Sequence, residues 1–485
     1  MRRSRVSRLR AAALVVLLVL TGGVACDTVF TPSTPGSGMP EIDAIFADYD
    51  RSDSPGCALG MIQDGEVVYR RGYGMADLEH GFALGSDSVF RIGSVSKQFT
   101  AMVILLLEEQ GRLSRDDDIR RWLPVMPDLG EPITVRHLLH HTSGLRDYLE
   151  LMTLAGFRDE DYYTASDLLE FLTRQRDLNS LPGREHRYSN SGYFLLGQIV
   201  ESATGQGLAE VAQELIFEPL GMLDTHFHDD ITRIVPRRAM GYALAQEDGL
   251  EISMTTLPII GDGGVFTSVD DLVAWEHNFY DNQLGDGGAE LIERWLEPGV
   301  LVNGEPVKYS AGIVDQTYRG VRMVGHGGAF VGFRASMLTF PEQRFSVITL
   351  CNLGDAAAGS LARRVADVHL GDILQAAEAE EPLVSRTDTD STQEFLLPVA
   401  ELRDYTGRYV SSELGVRYAL AIDDGRLTLA IPHMDPEVLL AAAEDRFGTD
   451  PSWLQVHFGR DSRGRVNGFL LDTDRVRNLW FARLE

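Results

Sequence analysis

Arg91-Ile92-Gly93-Ser94-Val95-Ser96-Lys97-Gln98-Phe99-Thr100-Ala101-Met102-Val103-Ile104-Leu105-Leu106-Leu107-Glu108-Glu109-Gln110-Gly111 is the stretch on which the reading of this 485-residue chain turns. Its spacing predicts a helix that begins near Gly93–Ser94 and stops at Gly111, a residue type common just past helix ends. Phe99, Met102, Val103 and Leu106 form one apolar face and Ile104, Leu105 and Leu107 fill others, so the helix is expected to run through a core. Such a helix usually stays free of charge until it surfaces. Here Lys97 follows Ser94 by three residues, a spacing that puts hydroxyl and amine on one face.

That contact has a chemical use. A serine hydroxyl is a poor nucleophile until a neighbouring base takes its proton. Lysine can be that base when desolvation or a cationic neighbour lowers its pKa, whereas arginine keeps its proton. Of the 44 Lys and Arg residues only Lys97 and Lys308 are lysine, so the chain spends lysine where a deprotonable amine is needed. Taken alone, the same four residues also read as a helix cap followed by a solvated lysine.

Working outward, residues 1–26 read as a secretory signal. Met1 to Arg10 holds five arginines, Ala11–Leu20 is an apolar run too short to span a bilayer, and small residues lead to Cys26. Cys26 resembles the acylated cysteine of bacterial lipoproteins, although Gly23 stands where those signals usually carry leucine. The expectation is an exported, periplasmic or cell-surface protein tethered to a membrane through Cys26. Residues 27–39, rich in Thr, Ser, Pro and Gly, form a flexible tether. Cys57 and Cys351 fall inside apparent strands, and so few cysteines do not suggest a disulfide framework. The net charge of −28, spread along the chain, argues against nucleic acid and anionic membrane surfaces as partners.

An α+β domain is expected over residues 40–374. Pro40–Tyr49 has helical spacing, and Cys57–Ile62 with Glu66–Tyr73 reads as a hairpin turning at Asp64-Gly65. Helical patterns follow over Ser166–Arg176, Gly192–Ala203 and Leu208–Phe217, and Ser268 with Asp271 looks like a capping box. Strands return at Lys308–Gln316, Val321–Val324, Gly332–Phe340 and Phe345–Leu350, before a helix near Leu361–Val368. Strands at both ends of a helical middle predict one antiparallel sheet with helices packed on it and an all-helical subdomain. Residues 375–395 are a linker, and residues 396–485 carry closely spaced strand signals, a small all-β barrel or sandwich.

Two further segments bear on Ser94. Tyr188-Ser189-Asn190 precedes a helix, and Gly325-His326-Gly327-Gly328-Ala329 lies between two late strands; each alone reads as a turn. Their order after Ser94-x-x-Lys97 changes that. The chain resembles the class C β-lactamase and penicillin-recognising serine hydrolases, which carry S-x-x-K, Y-x-N and K-T-G or its H-x-G variant. His137-Leu138-Leu139-His140-His141-Thr142-Ser143-Gly144-Leu145, Gly221-Met222-Leu223 and Gly263-Gly264 also match, and the likeness covers roughly Pro40–Gly371. Glu401–Tyr409 onward is similar to lipocalin-like barrels appended to some family hydrolases.

The resemblance implies an acyl-enzyme on Ser94, with Lys97 or a Tyr188 phenolate taking its proton. It further implies an oxyanion site between the Ser94 and Ala329 backbone N–H groups, and Asn190 on the substrate's amide. No cofactor is called for, and the substrate would be a small acyl or peptide-like molecule. His326-Gly327-Gly328 replaces the lysine and hydroxyl that help hold a β-lactam carboxylate, so an esterase or a D-amino-acid peptidase or amidase is expected ahead of a β-lactamase or D-alanyl-D-alanine carboxypeptidase. A sensor that stays acylated, or a binding lipoprotein, is the other class. Arg334 has two readings, a positive charge restored near the pocket or a surface residue, and the second is preferred; His226 and His228 are read as structural and not a metal site, and Gly261-Asp262-Gly263-Gly264 as a turn. His137, His140 and His141 are read as packed or capping.

Overall fold

A computed structural model of the chain describes residues 39–158, 160–245, 249–376 and 397–484. The expected signal, Cys26, the tether up to residue 38 and most of the linker lie outside the described residues.

The sheet is assembled from both ends of the domain. Strands β1 (Cys57–Gln63) and β2 (Glu66–Tyr73) form the expected hairpin, with Asp64 and Gly65 at φ 55° and 84°, the left-handed pair that an Asp-Gly turn supplies. Late in the domain come β3 (Val314–Tyr318), β4 (Val321–Phe330), β5 (Phe333–Phe340) and β6 (Phe345–Cys351). The order is β3-β4-β5-β6-β1-β2, antiparallel throughout. Cys57 sits opposite Cys351 in the β1–β6 register, and the two form a disulfide across 294 residues. A single cross-strand bond is no framework, and the pairing itself is not foreseeable from the sequence, because neither cysteine's spacing reveals a register.

Central strand β1 is buried on both faces, so its side chains divide between two cores. Cys57, Leu59 and Met61 pack with helices α1 (Pro40–Ile45) and, beyond the sheet, α10 (Ala358–Leu370); Ala58 and Ile62 face the larger core. That core holds α2 (Lys97–Glu109), α3 (Val135–Leu139), α4 (Tyr148–Leu154), α5 (Ala165–Thr173), α6 (Asn190–Thr204), α7 (Leu208–Ala212), α8 (Val269–Tyr280) and α9 (Ala289–Trp295). Helix α2 is buried from Lys97 through Leu107, as its apolar faces predict.

Three local readings change. Strand β4 runs straight through Gly325–Ala329, paired with β5, so the motif is strand and not a connection. Residues 308–313 are not strand: Ser310 bonds back to Ile313 and to Leu296 O, and β3 starts only at Val314. Ser268 caps α8 by accepting from Asp271 N, but the Asp271 carboxylate turns to Asp224 N and the Thr225 hydroxyl, so the box is half made.

The C-terminal segment closes into an eight-stranded antiparallel barrel. Its strands are β7 (Gly407–Ser411), β8 (Val416–Asp423), β9 (Arg426–Ala430), β10 (Glu437–Ala443), β11 (Arg446–Gly448), β12 (Gln455–Arg460), β13 (Val466–Asp472) and β14 (Leu479–Arg483). Aromatic rings fill the inside: Tyr418 stacks on Phe481 at 4.3 Å between ring centres and Phe481 on Phe469 at 4.8 Å. The barrel docks on the helical half through Arg146, which bonds Glu413 Oε2 at 2.7 Å and the carbonyls of Arg477 and Asn478 at 2.8 Å each.

Candidate active site

A 3₁₀ turn, Gly93–Ser96, leads into α2 and puts Ser94 at the mouth of a cleft of about 570 Å³. Lys97 Nζ lies 3.2 Å from Ser94 Oγ and donates to Asn190 Oδ1 at 2.8 Å and to the Asp262 carbonyl at 2.5 Å. Those two partners are pure acceptors. The serine hydroxyl can give or take a proton, so the triplet suits either an ammonium or a free amine holding the serine proton. The amine is completely buried, with no carboxylate among its hydrogen-bond partners. Residues 261–264, read as a turn, are pressed onto α2 by Thr100 Oγ1 donating to Gly261 O at 2.7 Å and Val265 N donating to Ser96 Oγ at 3.0 Å.

Tyr188 and Asn190 reach the same place from the start of α6. The Asp147 carboxylate caps α4 at Leu149 and Glu150 and also accepts from Asn190 N at 2.6 Å, tying the two helix starts together. His141, read as a packing residue, is one: its Nδ1 accepts from Ser189 N at 3.2 Å and its ring lies 4.2 Å from that of Tyr188. Burial and the nearby Lys97 hold His141 neutral, well below the usual imidazole range. Lys97 Nζ sits 4.9 Å from the Tyr188 ring centre, and the buried Tyr188 hydroxyl has no hydrogen-bond partner among the described residues. It is therefore free to take a partner from the cleft.

The opposite wall is β4. A Cβ on Gly328 would sit 1.9 Å from Ile92 O, and one on Gly93, whose φ is 52°, would sit 2.8 Å from Ala329 N. Only glycine permits that approach, and it brings the amide of Ala329 beside the turn that carries Ser94. His326 is buried, and desolvation, with Lys97 nearby, pushes its pKa down to about 4. Its Nδ1 lies 2.6 Å from Gly327 O and so carries the proton, leaving Nε2 to accept from the Tyr309 hydroxyl at 3.1 Å. The imidazole brings no positive charge to the cleft near pH 7.

Several cleft residues had no signal in the sequence pattern. Tyr309, buried behind the cleft wall against His326, lay in a supposed strand. The Asp262 carboxyl, raised by burial, takes the Tyr148 hydroxyl at 3.0 Å through Oδ2 and leaves Oδ1 unpartnered. Arg334, read as a surface residue, is half-buried on the cleft wall with Nη1 on the Val331 and Phe333 carbonyls. Arg475 reaches the cleft from the barrel, its guanidinium 5.1 Å from the Tyr188 ring centre. By contrast His226 and His228 contact each other at 3.1 Å, on a short strand outside the cleft.

With this geometry in hand, the likenesses are specific. The beta-lactamase family model matches residues 42–370. A D-aminopeptidase of Gluconobacter oxydans (strain 621H) is 32% identical over 316 residues, 65% of this chain and 59% of that protein. The chain thus spans about three fifths of the curated relatives it matches, the Brucella ovis D-aminopeptidase among them at 31% identity and 62% coverage. The octameric penicillin-binding protein homologue from Pyrococcus abyssi superposes with a TM-score of 0.61 at 25% identity, covering 91% of this chain and 98% of that one.

Proposed function

The chain belongs to the beta-lactamase family, whose model spans residues 42–370, and from that premise we propose that it is a serine hydrolase cleaving amide or ester bonds on the carboxyl side of a D-amino acid. One observation carries the reading: Ser94 Oγ lies 3.2 Å from the amine of a buried Lys97 at the mouth of an open cleft. Ser94 Oγ attacks the carbonyl carbon while its proton passes to Lys97 Nζ or to the Tyr188 oxygen. The oxyanion is held between the Ser94 and Ala329 amides, an arrangement in which each donor is worth about 3–4 kcal/mol of transition-state stabilisation. The proton returns to the leaving nitrogen or oxygen, and water then attacks the acyl-enzyme by the same route.

The D-aminopeptidase relatives support the acyl half, a D-amino acid. A neutral His326 supports weak action on β-lactams, since the strand offers their carboxylate no charge. Assays with D- and L-alanine p-nitroanilide, p-nitrophenyl acetate and a chromogenic cephalosporin test this. Turnover of the D-anilide that vanishes in Ser94→Ala supports it; a burst without turnover points to the acylated sensor. The barrel is lipocalin-like in strand number, but its aromatic filling leaves little room for a captured ligand.

The arginines of Met1–Arg10, the apolar run Ala11–Leu20 and Cys26 support export and lipid anchoring. Metabolic labelling with palmitate that is lost in Cys26→Ser checks the anchor; labelling unchanged by that substitution counts against it.

A further inference from the structure

We propose that Arg475, delivered by the barrel, selects substrates whose leaving group carries a carboxylate, that is, peptides with a free carboxy terminus over neutral amides. The proposal rests on the hydrolase reading above.

Arg475 lies in the turn between β13 and β14, outside the part of the chain that the family model matches. Its backbone is fastened to the catalytic half. Arg475 N donates to Glu150 Oε2 at 3.0 Å, and its carbonyl accepts from Asn179 Nδ2 at 2.8 Å and from Asp147 N at 3.2 Å. Asp147 is the residue that also holds Asn190 N. The turn is therefore registered against the helix starts that present Tyr188 and Asn190, while the side chain is left over for the cleft.

That side chain is weakly engaged. Among the described residues its one ion pair is with Asp474, 3.8 Å away and 84% exposed, a contact that water screens. Glu150, the carboxylate that holds the Arg475 amide, is spent on Arg475 N and the Thr473 hydroxyl. Arg334 has Nη1 turned onto backbone carbonyls, and Arg91 is buried with its guanidinium 4.9 Å from the Phe330 ring centre. Arg363 also lines the cleft, and against these four guanidiniums stands one carboxyl, the buried Asp262. In a chain of net charge −28 such a local excess of positive charge marks the sign of the ligand.

The direction follows from Tyr188. A phenol that returns the proton to the leaving atom faces the departing half of the substrate, and the cation on its ring lies on that side. A planar guanidinium matches a carboxylate with two parallel hydrogen bonds. Strand β4 cannot make that contact, because His326 is neutral and already bonded to Tyr309.

The test compares D-alanyl-D-alanine with D-alanine amide on the full chain, one acyl group with and without a carboxylate on the leaving half. In Arg475→Gln the ratio of kcat/KM, peptide over amide, should fall about tenfold or more, chiefly through KM of the peptide. Arg475→Lys, which keeps the charge but loses the paired donors, should give a ratio between those of the wild type and Arg475→Gln. An unchanged ratio in Arg475→Gln, or equal falls in both variants, overturns the proposal. If neither substrate is turned over, the same comparison is read as the concentration that protects Ser94 from a fluorophosphonate probe. Absence of any labelling of Ser94 defeats the hydrolase reading itself, whereas labelling with an Arg475-independent ratio defeats only this proposal.

Discussion

Lys97 and Arg146 are both basic side chains buried in the helical half, and they are surrounded differently. Arg146 is 2% exposed and uses four of its five N–H donors: it bonds the Glu413 carboxylate, the Gln175 amide and two barrel carbonyls. Lys97 is 0% exposed and its hydrogen-bond partners are a hydroxyl, an amide oxygen and a carbonyl, all neutral. A carboxylate partner ties a buried cation to one counter-charge, and that is the arrangement at Arg146. Equal burial therefore serves opposite ends. Arg146 clamps two domains, and Lys97 holds its amine on the Ser94 hydroxyl with no counter-charge bonded to it.

The largest expected effect breaks the comparison at Lys97. Lys97→Arg keeps the charge but removes the exchangeable proton, and acylation by a fluorophosphonate should slow by about ten-thousand-fold, with thermal stability little changed. Retained labelling would make Lys97 merely electrostatic. Next, Arg146→Met leaves Glu413 buried without its cation and should cost about 3–5 kcal/mol in denaturant unfolding. Arg146→Met combined with Glu413→Leu should recover much of that, since the stranded charge is gone; an equal loss in single and double variants would mean the pair is not the clamp.

Tyr188→Phe sharpens the question of the base, with about a hundredfold slower acylation expected if the phenol assists an amine base. A loss as large as that of Lys97→Arg would make the phenolate the base instead. The smallest effect concerns a third buried group, Glu276, which receives hydrogen bonds from Thr339 and Ser346 and pairs with no cation among the described residues. Burial raises its carboxyl to about 7. The native state therefore holds a proton that the unfolded chain releases near pH 4.5, and this contribution to stability falls as pH rises from about 4.5 to 7. Glu276→Gln should flatten that decline in urea midpoints measured between pH 5 and 8; an unaltered slope would mean the carboxyl is ionised in the fold.

What the sequence made legible follows from range. Ser94 and Lys97 are three residues apart, so local helical spacing announces their contact, and the Asp64-Gly65 turn and the buried faces of α2 are local as well. Tyr188 and His326 follow from motif order, and the motif's place on a core strand follows from the resemblance alone, because the glycines of Gly325–Ala329 by themselves read as a connection. Cys57 with Cys351, Tyr309 on His326, Asp262 beneath Lys97 and Arg475 over Tyr188 are tertiary meetings. Each of those residues looks ordinary within its own segment. Arg334 shows the same limit from the other side, since an arginine after Gly332-Phe333 carries no mark of which way a strand faces.

The most direct test of the account is intact-protein mass spectrometry after a fluorophosphonate probe, with the adduct mapped by peptide. The account predicts one adduct, on Ser94, absent in Ser94→Ala and nearly absent in Lys97→Arg. An unmodified wild-type chain, or an adduct that survives Ser94→Ala, would contradict it.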